Sequence, residues 1–239
     1  MKLDILAMGA HPDDIELSCS GTLMKAIAEG KKVGILDFTR GELGTRGTPE
    51  IRLAESNAAT KIMGIHAREN IEIPDGFFEN NKENQLKIIE IVRKYQPDIV
   101  LANALEDRHP DHGKGARLAY DACFISGLRM IETFGKDGEK QNAWRPKRVL
   151  HYIQDRYLEP DFVIDISDFW DKKVEAIKAF RSQFFDPNSN EPESYISKPG
   201  FLNYIEGRAK EMGHKINSEY GEGFQTEFTL SLKSLDNIL

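Results

Sequence analysis

The chain has two cysteines in 239 residues, Cys19 and Cys123, and they lie far apart. That spacing excludes both a disulfide framework and a cysteine-built zinc module, leaving two small buried hydrophobes in a reducing compartment. There is no excess of positive charge. The formal net charge of -7 argues against a general nucleic-acid binder and for a protein facing small molecules. No apolar run approaches the ~20 residues of a membrane span. Met1 to Asp4 passes straight into a strand pattern with no secretory signal, so a cytoplasmic location is expected. Also missing is a Gly-x-Gly-x-x-Gly turn after the first strand, which disfavours a dinucleotide cofactor. Internal repeats, low-complexity segments and linkers are lacking as well, so residues 1–239 are read as one domain.

What is present is the composition of a folded protein, with 40% hydrophobic and 30% charged residues. Leu3 to Met8, Val33 to Phe38 and Ile99 to Ala102 are short apolar runs of the kind buried on both faces of a sheet. Helices are expected between them. One covers Gly21 to Glu29 and is closed by Gly30; a second runs from Pro49 to about Met63, with Thr48 as cap and Gly64 as stop. A third covers 83 to 95 before Pro97, and a fourth 114 to 126. Ile71 to Ile73 is expected as a short strand, ahead of the turn Pro74-Asp75-Gly76. Alternating strands and helices predict an α/β fold, a mostly parallel sheet with helices on both faces. A smaller C-terminal α/β part follows: strands at Arg148 to Ile153 and Phe162 to Ile166, then a helix over 168 to 181 capped by Ser167. Phe184 to Ser194 is a polar loop, and a last helix over Pro199 to Met212 stops at Gly213. Phe224 to Leu230 is a final extended piece.

Two loops carry the chemistry. Ala10-His11-Pro12-Asp13-Asp14-Ile15-Glu16 follows the first apolar run, and Asp107-Arg108-His109-Pro110-Asp111-His112 follows another. Three of the six histidines lie in them. In parallel sheets the active site lies outside the carboxyl ends of the strands, so the loops are expected to meet. Charge at that position needs a cation, a partner network or water, because burying it alone costs several kcal/mol per group, roughly. A catalytic zinc uses three ligands from His, Asp, Glu or Cys and keeps a position for water. His11 and Asp14 offer two, and a histidine of the second loop, His112, offers the third. Adjacent Asp13 and Asp14 point apart, so one can bind the metal while the other takes a proton from the water it activates. His109 with Asp111 is a candidate histidinium–carboxylate pair for an oxyanion and a leaving amine. Arg52 and Arg108 are candidates for substrate anions. Asp75 could meet sugar hydroxyls or be a plain turn residue. Glu16 is expected to hold the first loop by hydrogen bonding.

Both motifs resemble the PIG-L/LmbE family of zinc-dependent N-acetylglucosamine deacetylases, whose pattern is an AHPDD-x-E loop and an HPDH loop about a hundred residues later. The likeness extends to Gly41-Glu42-Leu43-Gly44-Thr45-Arg46-Gly47 and to Arg52. It implies a Rossmann-like fold, Zn2+ (other divalent metals being compatible with the donors) on His11, Asp14 and His112, Asp13 as base, and His109 oriented by Asp111 as electrophilic partner. It also implies that Tyr195 closes on the oxyanion, and a homo-oligomer, commonly a hexamer. The nearest branch is the bacillithiol-pathway group acting on N-acetylglucosaminyl malate. Its rivals are the same chemistry on another N-acylated glycoside or thiol conjugate, and a metal-binding protein without hydrolytic activity.

Overall fold

The computed structural model describes residues 1–231 and Ser234. Its centre is strand β1 (Ile5–Gly9), which pairs in parallel with β2 (Val33–Asp37) on one side and β4 (Ile99–Ala102) on the other. Strand β3 (Ala67–Asn70) extends the sheet beyond β2, and β5 (Arg148–Tyr152) extends it beyond β4, both in parallel. Strands β7 (Gly221–Gln225) and β6 (Phe162–Asp165) complete a seven-stranded sheet in the order β3-β2-β1-β4-β5-β7-β6, with β7 antiparallel to both neighbours.

Alternation along the strands fills both faces. Leu6, Met8, Leu36, Val100 and Ala102 face one core, closed by helices α4 (Lys82–Tyr95) and α5 (Pro110–Ile125). Ala7, Ile35 and Leu101 face the other, covered by α2 (Ser20–Ala28), the end of α3 (Pro49–Met63) and α6 (Trp170–Lys178). A third apolar cluster ties α3 and α6 to α7 (Phe201–Lys215) through Ala59, Ile177, Phe180, Phe201 and Ile205. The expected α/β architecture is therefore present. Chain order departs in opposite directions from β1, towards β2 and towards β4, which opens a crevice at their carboxyl ends.

Several local expectations shift. The strand expected at Ile71 to Ile73 is instead β3, built from the polar run Ala67-Arg68-Glu69-Asn70; Ile73 follows it and is buried in the first core. Arg68 is tolerated there because its guanidinium is paired (below). Helix α5 starts at Pro110 rather than 114, because His109 serves as its N-cap and Pro110 takes the first helical position. Ser167 caps no helix: its hydroxyl turns back to Asp165 at 2.7 Å and a short 3-10 turn precedes α6, which ends at Lys178 rather than 181. Gly213 does not stop the last helix, which runs to Lys215; a side chain there would lie 2.8 Å from the Glu219 backbone, so glycine permits the close packing. Extended structure at Phe224 begins earlier and ends at Gln225. Both cysteines are buried and free. Among the described residues no helix is long and apolar enough to cross a membrane.

Candidate metal centre

The residues after β1 and β4 meet over the crevice. One ring nitrogen from each of His11, His109 and His112 lies within 4.8 Å of the others, and His11 forms a second such group with Asp75 and Asp111. A cleft of about 210 Å³ opens onto His11, Asp13, Asp14, His109 and His112.

Asp14 begins the short helix α1 (Asp14–Ser18). Its Oδ1 lies 3.1 Å from His112 Nε2 and its Oδ2 3.8 Å from His11 Nδ1. Burial opposes its charge, yet His112 and His11 hold its pKa well below the ordinary value. Asp13 has a positive φ of 120°, a strained backbone for a side-chain-bearing residue. The Asp13 carboxyl is 3.0 Å from Arg52 Nη2. Burial raises its pKa to about 7, with Arg52 working against the rise and Asp14 adding to it. The two adjacent acids thus differ: Asp14 is held as an anion, while the Asp13 carboxyl is pushed up to about 7.

His112 donates its Nδ1–H to the Asp107 carboxylate at 2.5 Å. Asp107 is fixed in turn by the Asp155 and Arg156 amides, at 3.0 and 2.7 Å. Burial opposes protonation of His112, but Asp14 and Asp107 raise its pKa to about 9. Burial likewise opposes the His11 imidazolium, and Asp111, Asp14 and Asp75 together hold its pKa well above the ordinary value. These two retained protons supply positive charge at the point where a divalent cation would supply it. The donor set, buried imidazoles with a firm carboxylate, suits a cation.

Five expected roles change. Asp111 does not orient His109 through its carboxylate; that group lies 3.5 Å from His11 Nε2 and accepts from the Gly76 amide at 2.8 Å. What reaches His109 is the Asp111 backbone N–H, donated to Nδ1 at 3.3 Å as part of the helix cap. His109 is not a histidinium: burial and the neighbouring His11 and His112 lower its pKa. With Nδ1 accepting, its proton sits on Nε2. Asp75 has little left for sugar hydroxyls, since Oδ1 is 3.1 Å from His11 Nε2 and Oδ2 accepts from the Leu43 amide at 3.0 Å. Arg52 is not a free anion receptor; besides Asp13 it donates to the Pro12 carbonyl. Tyr195 stands at the rim, its ring 4.1 Å under the Arg108 guanidinium, and Arg108 binds Asp155 through Nε at 3.0 Å. Both arginines line the cleft, but Arg52 is buried and committed to Asp13 and the Pro12 carbonyl, whereas Arg108 stands more exposed with its two terminal nitrogens unengaged by Asp155.

Glu16 fits its expectation. Fully buried, it accepts from Arg68 at 2.7 Å, and Arg68 also grips Asp37 through two bonds of 2.7 and 3.0 Å, clamping the first loop to β2 and β3. Asn103, Gln154 and Asp107 were not assigned from sequence, although all three hold the histidine and aspartate side chains of the site. The available signal was faint: Asn103 is the first polar residue after the apolar β4, and Asp107 opens the second motif.

A metal-compatible His/Asp cleft at the crevice of a doubly wound sheet is suited to an enzyme active site. The comparisons agree. A family model described as PIG-L, GlcNAc-PI de-N-acetylase, matches residues 6–123. The solved structure of the conserved protein TT1542 from Thermus thermophilus is 35% identical, superposes with a TM-score of 0.84 and covers 97% of this chain and 98% of its own. Diacetylchitobiose deacetylase from Thermococcus kodakarensis is 27% identical over 85% of this chain and 81% of its own. A probable N-acetyl-alpha-D-glucosaminyl L-malate deacetylase 2 from Bacillus cereus is also 27% identical, over 77% and 84%. The chain belongs to the PIG-L family and is an enzyme of that deacetylase class.

Proposed function

We propose that the protein is a zinc-dependent deacetylase of an N-acetylglucosamine conjugate, with His11, Asp14 and His112 as ligands and N-acetylglucosaminyl malate as substrate. The observation that carries the chemistry is the split between Asp13 and Asp14. A bound zinc supplies Lewis acidity and lowers the pKa of water towards ~7. Asp13, held by Arg52, takes the proton of the attacking water and returns it to the departing amine nitrogen, so the amide C–N bond breaks and acetate and a free amine leave. His109 presents Nε2–H to the carbonyl oxygen as negative charge develops there. The malate conjugate is supported by Arg108, whose spare donors at the cleft rim suit a carboxylate, and by the Bacillus relative. Equal identity to the chitobiose enzyme makes a second sugar the competing aglycone. The homo-oligomer belongs to the same reading: Phe77 and Met130, 82% and 90% exposed, are apolar surface it would cover.

Product analysis with N-acetylglucosaminyl malate, diacetylchitobiose and free N-acetylglucosamine tests reaction and substrate together. Zinc-loaded Asp13→Asn is expected to keep its metal and lose about 10²- to 10⁴-fold in turnover. Near wild-type turnover would remove Asp13 as base. His112→Ala is expected to lose zinc on metal analysis, while His109→Ala keeps it and loses turnover. The reverse pattern would make His109 the ligand.

A further inference from the structure

Asp14 reaches the cleft already gripped by amides from the ends of two other strands. Asn103, just past β4, accepts the Ala10 N–H through Oδ1 at 3.0 Å. That contact decides which way its amide faces, because a flipped side chain would set two donors against each other. Its Nδ2 is then committed to Asp14 Oδ2 at 2.9 Å and to Gln154 Oε1 at 2.8 Å. With Oε1 so engaged, Gln154 turns its Nε2 to Asp14 Oδ1 at 3.2 Å. His151 fixes the Asn103 backbone from β5, its Nδ1 2.8 Å from the carbonyl. Asn103, Gln154 and His151 are 1%, 5% and 1% exposed, so water does not compete for these bonds.

The two oxygens of Asp14 are left unequal. Oδ2 receives two N–H donors, from Asn103 and from the His11 backbone at 3.0 Å, which fills its two lone-pair directions. Oδ1 receives one, from Gln154, and its open side faces His112 Nε2 at 3.1 Å. We propose that Asn103 and Gln154 are positioning residues that make Asp14 a metal ligand through Oδ1 alone, setting its direction from β4 and β5 rather than from its own loop. The proposal rests on the reading of His11, Asp14 and His112 as ligands.

Gln154 is the cleaner probe, because its one backbone contact, accepting the Ala104 N–H, is long at 3.4 Å, whereas Asn103 holds the Ala10 backbone at 3.0 Å. Gln154→Leu and Gln154→Met, both close in volume, are prepared metal-free in the full chain alongside wild type and His112→Ala. Zinc Kd is measured by competition with a chromophoric chelator, and the melting temperature of each metal-free protein is recorded. Both Gln154 variants should bind zinc about 10- to 100-fold more weakly with an unchanged metal-free melting temperature, and saturating zinc should restore turnover to within about threefold. A Kd within threefold of wild type in both variants overturns the clamp. So does weaker binding that appears only with a lowered metal-free melting temperature and is not repaired by excess zinc. If His112→Ala still loses zinc in those cases, the ligand assignment survives and only the clamp fails. If wild type binds no zinc, or His112→Ala binds it as wild type does, the ligand assignment fails and the clamp with it.

Discussion

Two neighbouring aspartates with the same chemistry differ here because of what surrounds them. Asp14 faces two histidines and two amides, whereas Asp13 faces one guanidinium across a strained backbone. The same environment predicts how metal binding responds to pH. In the metal-free protein His112 stays protonated up to about 9, and His11 is held protonated well past its ordinary range. A metal ion must displace those protons. Apparent zinc affinity should therefore climb as pH rises, by about tenfold per pH unit for each proton displaced, and climb less steeply once His112 has lost its proton above about 9. Proton release on zinc addition at pH 7, followed with an indicator dye, checks the sign; uptake or no release would mean that the histidines already stand neutral. The sequence made the histidines and paired acids legible because they cluster in motifs after apolar runs. The partners of Arg52 and Asp75 were not legible, because a lone charged residue shows its type but not what it pairs with. Asn103 and Gln154 were invisible for the same reason, since a single amide after a strand has no pattern to detect.

At the scale of elements, α3 was readable almost to the residue. Thr48 accepts the Ile51 N–H, Pro49 follows it, and Gly64 closes the helix in the left-handed conformation. What sequence could not give was the task of that helix, which is to deliver Arg52 to the back of Asp13. Its guanidinium is seated under the preceding glycine loop: a Cβ at Gly41, where φ is 66°, would lie 2.5 Å from Arg52 Nη1. Gly41→Ala is therefore expected to displace Arg52 from Asp13, destabilising the fold by about 1 kcal/mol or more through the positive φ. Turnover should fall at least about tenfold at unchanged zinc content, because only the base has lost its partner. Metal analysis beside steady-state kinetics reads both; intact turnover would show that Asp13 acts without Arg52. The start of α5 was hidden for a different reason. Its first turn is spent on His109, Asp111 and His112, so the apolar spacing that announces a helix begins only after the site has been built.

The whole molecule depends on how its weakly patterned C-terminal third joins the parallel sheet. Beyond residue 130 the apolar runs shorten, and nothing in sequence indicates that β7 inserts between β5 and β6 or that it points against them. One buried pair makes that junction. Lys173 of α6 lies 2.5 Å from Glu222 of β7, with side chains 2% and 3% exposed. Glu222 also accepts the Gly21 and Thr22 amides at the start of α2, at 3.0 and 2.7 Å. Three elements from opposite ends of the chain therefore meet on one carboxylate. Removing one partner leaves a buried charge uncompensated, at a cost of about 3–5 kcal/mol, whereas replacing both by apolar groups costs less. Lys173→Met should lower the melting temperature by about 6–20 °C for a domain of this size, measured by calorimetry. Adding Glu222→Leu should recover part of the loss, though not the part carried by the two α2 amides, which would lose their acceptor. Unfolding should stay a single transition in every variant if the junction belongs to one core. A separate low-temperature step in Lys173→Met would instead mark the C-terminal third as a unit that comes away from the sheet, taking Gln154 and its hold on Asp14 out of register.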